Sequence, residues 1–101
     1  MTTDTMKFLD ELTGGPLTLG GAIKAIRLSD GHKQGAFAKK LKVSQSYLSD
    51  LENDRKEVSP LQARKFAVIL KQSKSQFIRL ALQDALSRQG LNYEIEVRKA
   101  A

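Results

Sequence analysis

The chain has 101 residues, of which 41% are apolar, a net charge of +6 and no cysteine. This length suits one small domain with a short extension, and the lack of cysteine excludes disulfides, thiolate metal sites and a cysteine nucleophile. No apolar run approaches the roughly 18 residues of a membrane span, and the N-terminus lacks the basic-then-apolar order of a signal peptide, so we expect a cytoplasmic protein that does not contact a membrane.

The positive charge lies in the middle of the chain. Residues 24–79 hold thirteen lysines and arginines against five acidic residues, whereas residues 1–13 have a net charge of −2 and residues 80–101 are neutral. A basic segment with neutral or acidic flanks is typical of a protein that binds the phosphate backbone of nucleic acid. A solvated surface with a surplus of basic residues is the alternative, and it suits Lys39, Lys40, Arg64 and Lys65.

The predicted elements begin in an N-terminal extension, residues 1–16. Within it, residues 5–12 favour one or two helical turns before a Gly-Gly-Pro sequence ends them. A longer helix follows from residue 17 or 18 to about Asp30, because apolar residues recur there every three or four positions. Gly31 then ends this helix.

Two short helices come next, over about residues 33–41 and 44–53, with only Lys42 and Val43 between them. Ser44 is a good N-cap for the second of these helices. Each short helix has one apolar side, which consists of Phe37 and Leu41 in the first and Leu48 and Leu51 in the second.

Two further helices complete the predicted domain, residues 17–90. Ser59-Pro60 marks the start of one, since serine caps a helix and proline suits the first helical position. Ser75 is predicted to cap the last helix, which we expect to run from residue 76 to about residue 89, before Gly90.

The tail, residues 91–101, changes period. Apolar and polar residues alternate from Leu91 to Arg98, which is the pattern of a β-strand. The expected fold class is therefore all-α, a five-helix domain with a short N-terminal helical segment and a C-terminal strand.

The pair of short helices carries the chemistry. Two short helices joined by a turn of three or four residues predict a DNA-binding helix-turn-helix. Glutamine can bond an adenine edge with two hydrogen bonds, and serine can bond several bases. Gln34, at the start of the first short helix, is placed to reach phosphate. With the apolar side inward, the second helix presents Gln45, Ser46, Ser49, Asp50 and Asn53.

Many positions agree at once with one known family. From about residue 17 to residue 82, the chain resembles the lambda-repressor and Cro-like (XRE) helix-turn-helix family, with five helices in the expected order. The resemblance rests on the pattern Gln34-x-x-Phe37-Ala38-x-x-Leu41-x-Val43-Ser44-Gln45-Ser46-Tyr47-Leu48-Ser49-x-Leu51-Glu52-Asn53.

The resemblance implies roles for individual residues. Gln34 would contact phosphate and brace the recognition helix, and Arg27 and Glu52 would form a largely buried ion pair that is scaffold. Residues of the loop after the recognition helix would clamp the backbone, namely Asn53, Arg55 and Lys56. Residues of the recognition helix and its cap would reach phosphates or base edges, namely Ser44, Gln45, Ser46 and Ser49.

Three positions depart from the family pattern, and Tyr47 has two expected roles. Lys42 stands where the family often has glycine, so we expect a lysine at positive φ, at a cost of about 1 kcal/mol. Lys33 replaces the usual Thr or Ser, so the helix of Gln34 should lack a side-chain N-cap. Asp50 either accepts from a cytosine amino group or faces away from phosphate. Tyr47 either packs at the core edge or contacts DNA.

The last helix has more apolar residues than a small core can bury, and a lone strand leaves an unpaired backbone edge. Both features predict a second chain. A twofold homodimer would place two recognition helices about 34 Å apart, so that they read the halves of a palindrome. The candidate dimer or partner residues are Leu82, Leu86, Leu91, Tyr93, Ile95 and Val97.

The leading interpretation is a sequence-specific transcriptional regulator, a repressor, that binds a palindromic operator through the helix 44–53. The alternative is an antitoxin that neutralises a toxin protein and represses its own operon, because residues 8–18 and 80–93 resemble small bacterial regulators of that type. A non-specific nucleic-acid protein is a third possibility. We find no catalytic, metal or cofactor motif and expect no enzyme activity and no cofactor.

Overall fold

The computed structural model describes residues 17–100. It has five helices, which confirms the all-α prediction, and their bounds are α1 (Leu19–Ser29), α2 (Gln34–Leu41), α3 (Gln45–Glu52), α4 (Pro60–Leu70) and α5 (Lys74–Arg88). The helical turns predicted for residues 5–12 lie outside the described residues.

Hydroxyl side chains start four of these helices. The caps of α1, α3, α4 and α5 each accept a hydrogen bond from the backbone N–H three residues on, and they are Thr18, Ser44, Ser59 and Ser73. Lys33 gives α2 no such bond, as predicted. The prediction that Ser75 caps the last helix is wrong, because the Ser73 hydroxyl is available two residues earlier.

All five helices end in the same backbone motif. A residue in the left-handed region lies one or two positions after the end of each helix, with φ between 56° and 74°. The N–H groups of that residue and the next then bond carbonyls of the last turn. Glycine fills the position after α1 and α5, while lysine or aspartate fills it elsewhere. The prediction that Lys42 has positive φ is confirmed. The five residues are Gly31, Lys42, Asp54, Lys71 and Gly90.

One core holds the helices together. Phe37, Phe66 and Phe77, from α2, α4 and α5, are almost completely buried in it. The packing of α4 on α5 is the most extensive contact, and α1 crosses α3 closely. At that crossing, a Cβ on Gly20 would lie 1.9 Å from the Leu51 carbonyl oxygen, so only glycine permits this placement of α3. Among the described residues, no helix has the length and apolarity needed to cross a bilayer.

The predicted C-terminal strand does not form. Residues 91–100 contain no strand, and the chain there lies against α5 instead. The Gln83 carboxamide donates to the Tyr93 carbonyl and accepts from the Ile95 N–H at 3.2 Å. No strand exists elsewhere in residues 17–100 to supply a backbone ladder, so a side chain supplies these two bonds. Ile95 and Val97 are half-buried, whereas Leu91 and Tyr93 are exposed.

Candidate nucleic-acid interface

The recognition helix α3 has one buried and one exposed side. Leu48, Leu51 and Glu52 are buried against the rest of the protein. Gln45 and Ser46 are exposed on the first turn, and Tyr47, Ser49 and Asp50 are half-buried. The helix therefore presents short polar side chains at its N-terminal end, where they can approach a surface as large as duplex DNA.

The first turn of α3 is organised by its cap. The Ser44 hydroxyl oxygen accepts from the Tyr47 N–H at 3.0 Å. Within residues 17–100, the Gln45 carboxamide has no hydrogen-bond partner. It lies across the first turn of α2, where its oxygen is 3.3 Å from the position that a Cβ on Gly35 would take. Gly35 therefore leaves space for Gln45. We did not single it out from the sequence, although glycine early in a helix was a usable signal.

An open cleft of about 800 Å³ lies at the corner between α2 and α3. Its floor is mainly apolar, and Lys33, Lys39 and Gln45 are among the residues that line it. Two lysines beside the capped start of α3 make this corner attractive to a phosphate-bearing ligand.

Glu52 joins three helices at the other end of α3. One carboxylate oxygen accepts from Arg27 Nε at 2.7 Å, and the other accepts from Arg27 Nη2 at 2.9 Å and Gln34 Nε2 at 3.1 Å. Arg27 also donates to the His32 carbonyl at 3.0 Å. The side chains of Arg27 and Glu52 are only 12% and 2% exposed. These bonds tie α1 and the start of α2 to the recognition helix.

The charges of this pair support each other. The hydrogen bonds that Arg27 donates to Glu52 raise the pKa of Arg27, desolvation by burial opposes that rise, and the negative charge of Glu52 adds to it. The Arg27 guanidinium therefore holds its positive charge beside Glu52. Gln34 uses its amide nitrogen in this cluster, which leaves its carboxamide oxygen without a role in the pair.

Asp50 faces the loop after α3. Its Oδ1 accepts from Arg55 Nε and lies 3.1 Å from Arg55 Nη2 as well. Neither role expected for Asp50 included this pair. Asp54, with φ of 59°, reverses the chain so that the Arg55 N–H bonds the Asp50 carbonyl at 2.8 Å. The sequence did not show this turn, because aspartate rather than glycine occupies the left-handed position.

The rest of the loop is held from two sides. Asn53 Nδ2 donates back to the Ser49 carbonyl at 2.8 Å. Arg88 Nη2, from the last turn of α5, donates to the carbonyls of Asp54 and Lys56 at 3.0 Å each. Sequence reasoning missed Arg88, since only folding brings residues more than thirty positions apart into contact.

Tyr47 packs partly against the core, which is one of its two expected roles. Burial raises the pKa of its hydroxyl. The Lys56 ammonium lies 6.0 Å from the ring centroid, within reach of a weak cation–π attraction. Contact of Tyr47 with DNA stays a prediction.

A second carboxylate braces the start of α1. Asp84 accepts from the Leu19 N–H at 3.0 Å. Burial raises the pKa of Asp84 to about 6; the bond from Leu19 opposes this, Asp54 adds to it, and Arg88 and Arg79 oppose it. The described residues contain no group of three acidic, histidine or cysteine side chains that could hold a metal ion.

Comparison with known proteins gives one finding. A family model described as helix-turn-helix matches residues 23–77, which is more than half of the chain. The matched range starts within α1, includes α2, α3 and the loop that follows, and ends in the first turn of α5. Searches of curated proteins and of solved structures gave no match.

Proposed function

The chain belongs to the lambda-repressor and Cro-like helix-turn-helix family, whose members are DNA-binding domains of transcriptional regulators, and on this premise we propose that it is a sequence-specific repressor. In this proposal a homodimer binds a palindromic operator, and each copy places α3 in the major groove.

The observation that carries the proposal is the exposed first turn of α3. Gln45 and Ser46 extend from a helix whose orientation Glu52 and the Gly20 contact hold in place. A rigid support matters, because base contacts depend on hydrogen-bond geometry. In the proposal, Gln45, Ser46 and Ser49 contact base edges, and residues around them contact phosphates. Tyr47 contacts DNA at the edge of this surface. The phosphate contacts are Gln34, Ser44, Asn53 and Lys56.

The electrostatics support phosphate contact around α3. The basic segment 24–79 has an excess of eight positive charges, thirteen against five. Binding should therefore weaken steeply with salt, and each lost phosphate contact should lower the salt slope by about one.

Selection from random duplex DNA, followed by Gln45→Ala, tests the proposed base contact. The variant should lose about 1–3 kcal/mol on the selected operator and little on random duplexes, because adenine recognition is lost while phosphate contacts remain. Gln76→Ala is the matched control, since that carboxamide accepts from Arg79 on α5, outside the proposed DNA face. Equal losses of Gln45→Ala on both DNAs would refute base reading by Gln45.

The proposed dimer contact lies on α5 and the tail. Three large apolar side chains are exposed there, Leu82 at 36%, Leu91 at 40% and Tyr93 at 66%. Leu86, one helical turn after Leu82, is half-buried. Covering these apolar groups would stabilise a dimer. The half-buried Ile95 and Val97 complete the proposed surface.

Sedimentation of Leu82→Glu against Leu28→Glu tests the dimer. Leu28 is a matched control, because it is also an exposed leucine, at 59%, but lies on α1. We expect a dimer for the control and a monomer for Leu82→Glu. If the unmodified protein is a monomer that binds DNA only in complex with a second protein, the homodimer proposal fails and the result supports the antitoxin alternative.

A further inference from the structure

The geometry of Asp50 and Arg55 leaves one edge of a guanidinium available. Asp50 Oδ1 bonds Arg55 on the edge formed by Nε and Nη2, at 3.1 Å to each nitrogen. A guanidinium has a second edge, formed by Nη1 and Nη2, which presents two parallel N–H donors. Within residues 17–100, Nη1 has no partner. The Arg55 side chain is 61% exposed, so this second edge is accessible to a ligand.

Backbone hydrogen bonds also hold Arg55 in place. The Arg55 N–H bonds the Asp50 carbonyl at 2.8 Å, so residue and partner are joined through both main chain and side chain. Arg88 bonds the carbonyls on either side of Arg55, at Asp54 and Lys56. A side chain oriented in advance loses less conformational entropy when it binds.

Two arguments disfavour phosphate as the ligand of Arg55. The Asp50 carboxylate offsets the arginine charge and would itself repel a phosphate. The arginine also follows the C-terminal end of α3, where the helix dipole is negative and disfavours an anion. Guanine has neither difficulty, because its O6 and N7 are neutral acceptors spaced for the two parallel donors of an arginine.

We propose that Arg55, oriented by Asp50, reads a guanine in each half of the operator. This inference rests on the proposed function, and it gives Arg55 a base contact in place of the backbone contact that the family resemblance implies. Since α3 is about 12 Å long at 1.5 Å per residue, the guanine lies several base pairs from those that Gln45 contacts. Asp50 is a positioning residue, and Asn53 and Lys56 remain the phosphate contacts of the loop.

The test starts from the selected operator and measures affinity for every single base-pair change. Arg55→Lys keeps the charge but loses the fork of two donors, so it should weaken operator binding about tenfold and abolish the preference for one G·C pair. Asp50→Ala should reduce the same preference and leave the others unchanged. Arg64→Lys, at an exposed position on α4, is the matched control and should change neither.

Replacement of that guanine by 7-deazaguanine separates the possible contacts, because it removes the N7 acceptor and leaves the phosphates unchanged. Wild-type affinity should fall about tenfold, and Arg55→Lys should show no further loss. Thermal unfolding of each variant excludes misfolding as the cause.

Three results would overturn the inference while leaving the proposed function intact. The first is an unchanged wild-type affinity when 7-deazaguanine replaces each guanine of the operator in turn. An unchanged preference in Arg55→Lys that disappears in Asp50→Ala would make Asp50 the base contact. An equal loss on all duplexes in Arg55→Ala, with the salt slope lowered by about one, would make Arg55 a phosphate contact. If the wild type selects no sequence, the proposed function itself fails.

Discussion

The recognition helix has two arginine–carboxylate pairs that share their chemistry and differ in depth. In the inner pair, Arg27 and Glu52 are 12% and 2% exposed and approach to 2.7 Å. In the outer pair, Arg55 and Asp50 are 61% and 35% exposed and approach to 3.1 Å. The inner pair uses both carboxylate oxygens and, with Gln34, links three helices, whereas the outer pair uses one oxygen and orients one side chain.

Burial explains the difference. Removing one member of a buried pair leaves a charge without water or a partner, which is costly, while removing both can be nearly neutral. An exposed pair contributes little to stability, because water screens both charges. The comparison predicts that the inner pair affects mainly folding and the outer pair mainly DNA selectivity.

The largest expected effect is on the inner pair. Glu52→Gln should lower the free energy of unfolding by about 3–5 kcal/mol, because Arg27 stays charged in a largely dry site. Urea denaturation with circular dichroism measures this loss. This loss is a large share of the stability of a small domain, so we expect a substantial unfolded fraction in the variant.

A double variant guards against that outcome. Arg27→Met with Glu52→Leu removes both charges and should recover most of the lost stability, although Gln34 loses its carboxylate partner. A double variant as unstable as Glu52→Gln would show that the packing of these side chains, and not the charge left behind, determines the cost.

Asp84 offers an intermediate case, since this partly buried carboxylate accepts from a backbone N–H instead of an arginine fork. Its pKa is raised from 3.8 to about 6 in the folded protein, so the fold binds the proton more tightly than the unfolded chain does. The stabilisation is complete below about pH 4 and is lost as the pH rises through about 6.

Urea denaturation at several pH values, compared with Asp84→Asn, measures this effect. Asparagine can still accept from the Leu19 N–H but does not titrate. Between pH 7.5 and pH 4.5, the wild type should gain on the order of 1 kcal/mol relative to the variant, with solvent screening taken into account. A pH-independent difference would contradict the raised pKa.

The smallest expected effect is on the stability of the outer pair. Asp50→Ala should change the free energy of unfolding by less than about 0.5 kcal/mol, because the pair is exposed. The same denaturation experiment measures it, with Arg55→Ala alongside. A loss above about 1.5 kcal/mol in either variant would mean that the pair is scaffold like the inner one, and the comparison would fail.

Local signals gave most of the fold in advance. The apolar spacing and the hydroxyl caps at Ser44 and Ser59 act over three or four residues, so they can be recognised without tertiary information. The resemblance pointed to Arg27 and Glu52, which the structure brings together. The prediction of a C-terminal strand was wrong, because alternation of apolar and polar residues does not supply a neighbouring strand.

By itself, the sequence determined where the helices lie and which polar residues share the face of α3, because both depend on the helical period and on capping. Tertiary structure alone decided what those residues contact. Arg88 bonds the loop although more than thirty residues separate them in sequence. The tail bonds the Gln83 side chain and not a neighbouring strand. Asp50 bonds Arg55 because Asp54 adopts a left-handed conformation. Packing and hydrogen bonds around the turn offset the strain of that conformation.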